Sequence, residues 1–337
     1  MAEITVLSGE TIEKLLTVPM AVEAVEQAYL EKSKGQAALW PMVFHEFDPG
    51  HADLDIKSGN LDGLGFYGLK VVSWFGANPE KGLPALYGTS LLFDLSTGAP
   101  KALLNAGPIT DFRTGAAGAI GAKALASPDA TTLLMAGTGA LAPYLIAATL
   151  YLLPNLKTVY VANPHHPEQS AAACGPIAEK VVELLAPCGG CHAEILPAPD
   201  LETATKHSQV ILTATPARQP FLQADWVQPG THISCVGADM SGKQEVESAL
   251  FAKAKVFGDD TEQCLSVGEC EVPYKAGLFS GEVCEIGEVL AGTKPGRTAP
   301  EDITIFDSTG IALQDIASAA ALLSAAQEKG QGQVIAL

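Results

Sequence analysis

The chain has 337 residues, enough for one large domain or two ordinary ones with a substantial core. Hydrophobic residues make up 47% and charged residues 17%, which excludes a disordered polyelectrolyte. A formal net charge of −18 repels phosphate backbones and anionic lipid, so neither nucleic acid nor a membrane is expected as a partner.

Met1 to Glu10 shows no basic run and no apolar core, so no secretory leader is expected. The seven cysteines are then expected as free thiols in a cytoplasmic chain. Cys188-Gly-Gly-Cys191 has no second pair at a metal-ligand spacing and is read as a glycine-rich loop, so no metal site is expected.

In chain order, Thr17 and Pro19 predict the start of a helix that ends at Gly35, with Ala21, Val22, Val25, Ala28 and Tyr29 on one apolar face. Phe66–Phe75, Leu86–Leu95 and Lys101–Asn105 read as consecutive strands with tight turns, hence an antiparallel sheet. Thr110 is expected to cap a helix of small residues from Asp111 to about Ala126. Its Ala and Gly content suits close packing, either as a connector between domains or at an oligomer contact.

Ala130–Leu156 carries no charged side chain and is long enough to span a bilayer. Gly137, Gly139, Pro143 and Pro154 argue instead for a buried strand, a glycine turn and a buried helix. Strands then alternate with helices: Thr131–Ala136, Thr158–Ala162, Ala193–Leu196, Gln209–Thr213, His232–Val236, Lys255–Phe257 and Ile303–Phe306 are the strands, and a helix is expected near Glu245–Lys253. This order predicts a parallel sheet. A last, alanine-rich helix from Ile311 to about Lys329 is expected to return to the first domain.

Gly137-Thr-Gly139-Ala-Leu-Ala142 follows a strand and opens a helix, the context that G-x-G-x-x-A needs to cradle a pyrophosphate on backbone N–H groups. Gly137, Thr138, Gly139, Ala140 and Leu141 are therefore candidate dinucleotide contacts. At the end of the second strand there is neither the acid that favours NAD nor the arginine that favours NADP. Asn163 suits a ribose hydroxyl and His165 or His166 a 2′-phosphate, so the choice between NAD and NADP stays open. Arginine is scarce, and Arg113 beside Thr114 is a candidate clamp for a substrate carboxylate.

Several ordered motifs resemble the ornithine cyclodeaminase and mu-crystallin family over nearly the whole chain. They are Gly68-Leu-Lys70, Gly82-Leu-Pro84, Phe93-Asp-Leu-Ser-Thr-Gly98, Ile109–Ala117, the glycine turn, Val236–Glu245 and Asp307-Ser-Thr-Gly310. The resemblance implies an α/β homodimer with two domains. Residues 1–115 with 311–337 would form an α+β substrate and dimerisation domain with antiparallel strands, and 116–310 a Rossmann-type NAD(P) domain.

The implied activity is oxidation or reduction of the Cα–N bond of a small α-amino or imino acid. Lys70 and Arg113 would hold the substrate carboxylate, with Thr89 a further substrate contact, Lys70 a proton donor and Asp239 the acid/base at the Cα nitrogen. Thr114, Thr213, Ala214, Thr215, Val236, Gly237 and Ser308 would complete the cofactor site. A cyclodeaminase that recycles its NAD and a non-catalytic binding protein of the mu-crystallin kind are the alternatives. The latter lacks the aspartate present here as Asp239.

Two residues have plainer readings: alternation can send Lys70 to solvent, and Asp239 can cap the turn before Ser241-Gly242. The chain also departs from the family, because Trp40-Pro41-Met42-Val43 lacks the usual arginine and Lys57 is its candidate replacement.

Overall fold

A computed structural model describes residues 3–337. The chain divides into two units, one holding the described residues up to Arg113 with Ile311–Leu337, the other Thr114–Gly310.

The first unit begins with β1 (Glu3–Leu7), α1 (Gly9–Leu15) and α2 (Val18–Ser33). Thr17 caps α2 by accepting the Met20 N–H, and Val18, Ala21, Val22, Val25, Ala28 and Tyr29 are buried along it. Six strands follow: β2 (Ala37–Leu39), β3 (Val43–Asp48), β4 (Ala52–Leu61), β5 (Phe66–Phe75), β6 (Leu86–Asp94) and β7 (Pro100–Asn105). Helix α3 (Ala106–Leu125) leaves this sheet and runs across the boundary between the units.

The second unit continues with β8 (Thr132–Ala136), α4 (Ala142–Leu152), β9 (Thr158–Ala162), α5 (Ser170–Leu185), β10 (Glu194–Pro197), α6 (Leu201–His207), β11 (Val210–Thr213) and β12 (His232–Cys235). Next come β13 (Ala254–Gly258), α7 (Thr261–Val267), α8 (Glu271–Lys275), β14 (Cys284–Glu285), α9 (Ile286–Leu290) and β15 (Ile303–Asp307). The chain closes in the first unit with α10 (Ala312–Glu328) and β16 (Gln333–Ala336).

The first sheet has the order β16-β1-β7-β6-β5-β4-β2, with β3 also on β4, and only β1 and β7 are parallel. Helix α10 packs on α2 and across β4 and β5. Gly68 permits that approach, because a Cβ there would stand 2.7 Å from the Leu91 carbonyl oxygen and 3.3 Å from Ile316.

The second sheet is wholly parallel in the order β10-β9-β8-β11-β12-β15-β13-β14. Its central strands are buried on both faces, which is why they read as unbroken apolar runs. Chain order reverses between β8 and β11, so the ligand crevice of such a sheet lies beyond the carboxyl ends of these strands. Along α3, Gly115 and Gly118 lie against Tyr144 and Leu145, and Gly121 against Phe306, so the small residues serve packing within this unit. No helix among the described residues is long and apolar enough to cross a membrane.

Two expectations need correction. Helix α3 starts at Ala106, not Asp111. The Asn105 side chain accepts the Gly107 N–H, and Pro108 falls in the first turn, where it costs no hydrogen bond. Arg113 therefore lies in the second turn and Thr110 caps nothing. The helix expected near Glu245–Lys253 is reduced to a single 3₁₀ turn, Ser248–Leu250. The Glu245 and Val246 N–H groups donate to the Glu269 carboxylate, which holds this stretch extended.

Candidate active site

In the first unit, Lys70 on β5 is buried, with only 3% of its side chain exposed. Its Nζ lies 3.0 Å from both oxygens of Asp315 on α10, so the reading that sends it to solvent fails. Arg113 stands on the same carboxylate, its Nε 3.3 Å from Asp315 Oδ1, and its Nη1 donates to Gln314 Oε1 at 2.9 Å. Gln314 Nε2 in turn donates to the Tyr29 hydroxyl at 2.8 Å.

The register pairs Lys57 with Lys70 and Lys70 with Ser90, so these three lie on one face in a rung across β4, β5 and β6. Burial lowers Lys70 to about 8, with Arg113 and Lys57 pushing the same way and Asp315 opposing them. Burial pushes Asp315 up, but Lys70, Arg113 and Lys57 together more than reverse this and hold it below the usual carboxylate range.

In the second unit, Gly137 has φ +136°, and a Cβ there would stand 2.5 Å from the Ala214 carbonyl oxygen, so only glycine fits. Gly139 faces open space, and no side chain caps α4. That arrangement suits an anion approaching the helix N-terminus. The Asn163 side chain is committed within the protein: Nδ2 donates to Thr138 Oγ1 at 3.0 Å, and Oδ1 accepts the N–H groups of His165 and His166. His165 is exposed, with its ring edge-on to Phe221.

The crevice loops that follow β11 and β12 are joined by the buried Glu245 carboxylate. It accepts from Thr213 Oγ1 (2.6 Å), Thr215 N (2.7 Å), Thr215 Oγ1 (2.8 Å) and Gly237 N (3.0 Å). Ala214 N donates to the Ala136 carbonyl, and Val236 N to that of Thr213. Ser308 N donates to the Cys235 carbonyl, and its hydroxyl lies 3.5 Å from Asp259.

Asp239 follows in the loop after β12, its side chain 49% exposed and 2.5 Å from Lys243 Nζ. In the turn that follows, the Ser241 hydroxyl and the Gly242 N–H both donate to Glu271.

Residues 2–330 match the ornithine cyclodeaminase/mu-crystallin family. The chain belongs to this family.

It is 37% identical to the alanine dehydrogenase of Archaeoglobus fulgidus over 335 residues, which are 99% of this chain and 98% of that one. Among solved structures it is similar to an archaeal alanine dehydrogenase dimer with bound NAD (TM-score 0.87, 35% identity, 99% of each chain). It is likewise similar to the iminosuccinate reductase of Paracoccus denitrificans in complex with NAD⁺ (TM-score 0.88, 31% identity, 99% of this chain and 100% of that one).

Within the family fold, Lys57, Lys70 and Arg113 belong to one unit, and Asp239 and the glycine turn to the other. Thr114 is buried in α3 next to Arg113. Thr89 pairs with Val71 and so lies on the sheet face opposite Lys70, where it is exposed. Its neighbour Ser90 holds the place on the Lys70 rung and is buried, with no hydrogen-bond partner for its hydroxyl among the described residues.

Sequence reasoning missed Gln314 and Asp315. The available signal was an acid and an amide in an otherwise apolar, alanine-rich helix, in a chain with few cations to pair them. It also missed that the acids Asp259, Glu269, Glu271 and Asp307 are buried. Burial pushes Asp307 up to about 7 and holds Glu269 well above the usual range, with Glu245 adding to the latter.

Replacing Asp315 by alanine is expected to destabilise the protein by about 3–5 kcal/mol in urea unfolding, because it strands buried cations. Lys70 escapes part of that cost by losing its proton, whereas Arg113 cannot.

Proposed function

We propose that this chain holds the carboxylate of a small α-amino or imino acid on Lys70, Arg113 and Lys57 and moves hydride at its Cα. The chain is an NAD(P)-dependent oxidoreductase acting on the Cα–N bond. The observation that carries this reading is the buried Lys70–Asp315–Arg113 group. Lys70 and Arg113 share the one carboxylate of Asp315, an arrangement that suits a further carboxylate, the substrate's, beside these cations.

NAD(P), when bound, supplies or accepts the hydride. The Gly137–Leu141 turn at α4 would hold its pyrophosphate, and the loops joined by Glu245 would face its nicotinamide end. Asp239 takes a proton from the Cα ammonium before hydride leaves in oxidation, and returns one to the Cα nitrogen in reduction.

The test is to incubate the protein with NADH or NADPH and a panel of cyclic imines, or of 2-oxo acids with ammonia. Net loss of the reduced-nicotinamide absorbance supports the reading. Ammonia release from ornithine or lysine with only catalytic cofactor would make it a cyclodeaminase, and cofactor binding without turnover across the panel would make it a binding protein.

We further propose that the protein works as a homodimer through the sheet face opposite Lys70. Val43, Phe75 and Tyr87 are exposed there, and Phe47, 54% exposed, stacks on Phe75 with ring centres 5.7 Å apart. Such a patch is larger than scattered surface apolar residues explain, and the archaeal alanine dehydrogenase was solved as a dimer. Sedimentation velocity is expected to show a dimer, and Phe47→Glu a monomer that still binds cofactor. A monomeric unsubstituted chain would remove this part of the proposal.

A further inference from the structure

The loop from Val236 to Val246 carries Asp239, the group assigned to proton transfer. Strand β12 fixes its start, but Asp239 itself is half exposed and forms an ion pair with Lys243 in the same loop. A carboxylate at an exposed position of a loop needs its backbone held from elsewhere to meet a substrate nitrogen at a defined distance.

The tripeptide Glu269-Cys270-Glu271, which leads into α8, does the holding. Glu271 takes the near end of the loop: Ser241 Oγ donates to Oε1 at 2.5 Å and Gly242 N to Oε2 at 2.7 Å. Glu269 takes the far end: Glu245 N donates to it at 2.8 Å and Val246 N at 2.6 Å. Cys270 N donates to Asp307 Oδ2 at 3.0 Å, which ties the tripeptide to the end of β15.

On the other side of the loop, Arg218 Nη1 donates to the Ser241 carbonyl at 3.1 Å, and Gln244 N to the Ala217 carbonyl at 3.0 Å. Burial pushes the Glu271 carboxyl up, but Lys275, Ser241 and Gly242 hydrogen-bond its ionised form and hold it below the usual range. Glu271 is thus a buried anion, 2% exposed, whose two oxygens fix a two-residue turn starting two positions after Asp239.

We propose that Glu271 is a positioning residue for catalysis: by bonding the Ser241-Gly242 turn it sets the place and orientation of the Asp239 carboxylate, without itself touching substrate or cofactor. The inference rests on the reading of Asp239 as the acid/base. Glu245 has a different task, because its carboxylate bonds the loops of the cofactor crevice. Changes at Glu271 and Glu245 should therefore separate, the first moving turnover and the second moving cofactor affinity.

The experiment uses the full-length protein, the best substrate of the imine panel, and NADH binding followed by nicotinamide fluorescence. Glu271→Ala is expected to lower kcat about a hundredfold and to leave the NADH Kd within about twofold. It should also shift the pH limb of kcat that disappears in Asp239→Asn. Glu271→Gln should restore most of the rate, since an amide accepts the Gly242 N–H and donates to the Ser241 hydroxyl.

In the Asp239→Asn background, Glu271→Ala should cost less than about a further twofold, because residues acting through one group are not additive. Should Glu271→Ala not fold, Glu271→Asp keeps the charge but withdraws it by one methylene, and it should show the same loss of kcat and the same shifted limb. Full rate in Glu271→Ala or Glu271→Asp, parallel loss of rate and NADH affinity, or additive losses in the double variant would each overturn the proposal. If Asp239→Asn alone keeps full rate, the acid/base reading falls and the inference with it. If Asp239→Asn is inactive while Glu271→Ala is not, only the inference falls.

Discussion

Asp239→Asn is expected to lower kcat by about 10²–10⁴, the usual contribution of a positioned acid/base, and to leave NADH affinity within about twofold. The structure makes this a clean substitution. Asp239 is half exposed, and the Ser241 hydroxyl and Gly242 N–H of the neighbouring turn donate to Glu271, so that turn keeps these bonds when the charge is removed. Its ion pair with Lys243 is a partly exposed contact, worth at most about 1 kcal/mol. Urea unfolding should therefore match the unsubstituted protein. Steady-state kinetics together with fluorescence titration of NADH checks this, and simultaneous loss of rate, affinity and stability would make Asp239 a structural residue.

Lys70→Met should act on substrate rather than cofactor. A charge-assisted hydrogen bond to a carboxylate contributes about 1.5–3 kcal/mol, so kcat/KM should fall by roughly 10- to 150-fold, mainly through KM. The pH dependence has a definite sign. Lys70 is lowered to about 8, so its ammonium is present below that pH and lost above it. Log kcat/KM should therefore decline as pH rises through about 8, and the decline should be absent in Lys70→Met. Stability should suffer less than in Asp315→Ala, because Asp315 keeps Arg113 as a partner when Lys70 is gone, whereas without Asp315 both cations lose theirs. An unchanged pH profile in Lys70→Met would remove Lys70 from the substrate site.

How much of this was legible in the sequence differs from element to element. The strand, glycine turn and helix at 130–156 were plain, because a buried parallel strand is an unbroken apolar run and the turn needs Gly137 at positive φ. Strand β4 was not. Asp53, Asp55 and Lys57 alternate with Leu54 and Ile56, so the face that bears the cationic rung looks like a solvent face. The helix expected after Glu245 failed for a related reason: a remote carboxylate, Glu269, takes the backbone N–H groups that a helix would use. In each case local pattern gave way to polar contacts made between residues distant in sequence.

The sequence by itself indicated the antiparallel strands of the first sheet, the parallel second sheet, the dinucleotide turn and Arg113, because these depend on residues adjacent or periodic along the chain, while Lys70 and Asp239 became candidates through the family resemblance. Only the tertiary structure decided what opposes and holds them. Asp315 reaches Lys70 across 245 positions, Glu271 reaches Gly242 across 29, and Ser90 displaces Thr89 from the Lys70 rung through strand register. Hydrogen bonds and ion pairs act through space over a few ångströms, and chain order carries no measure of that distance until the elements have packed.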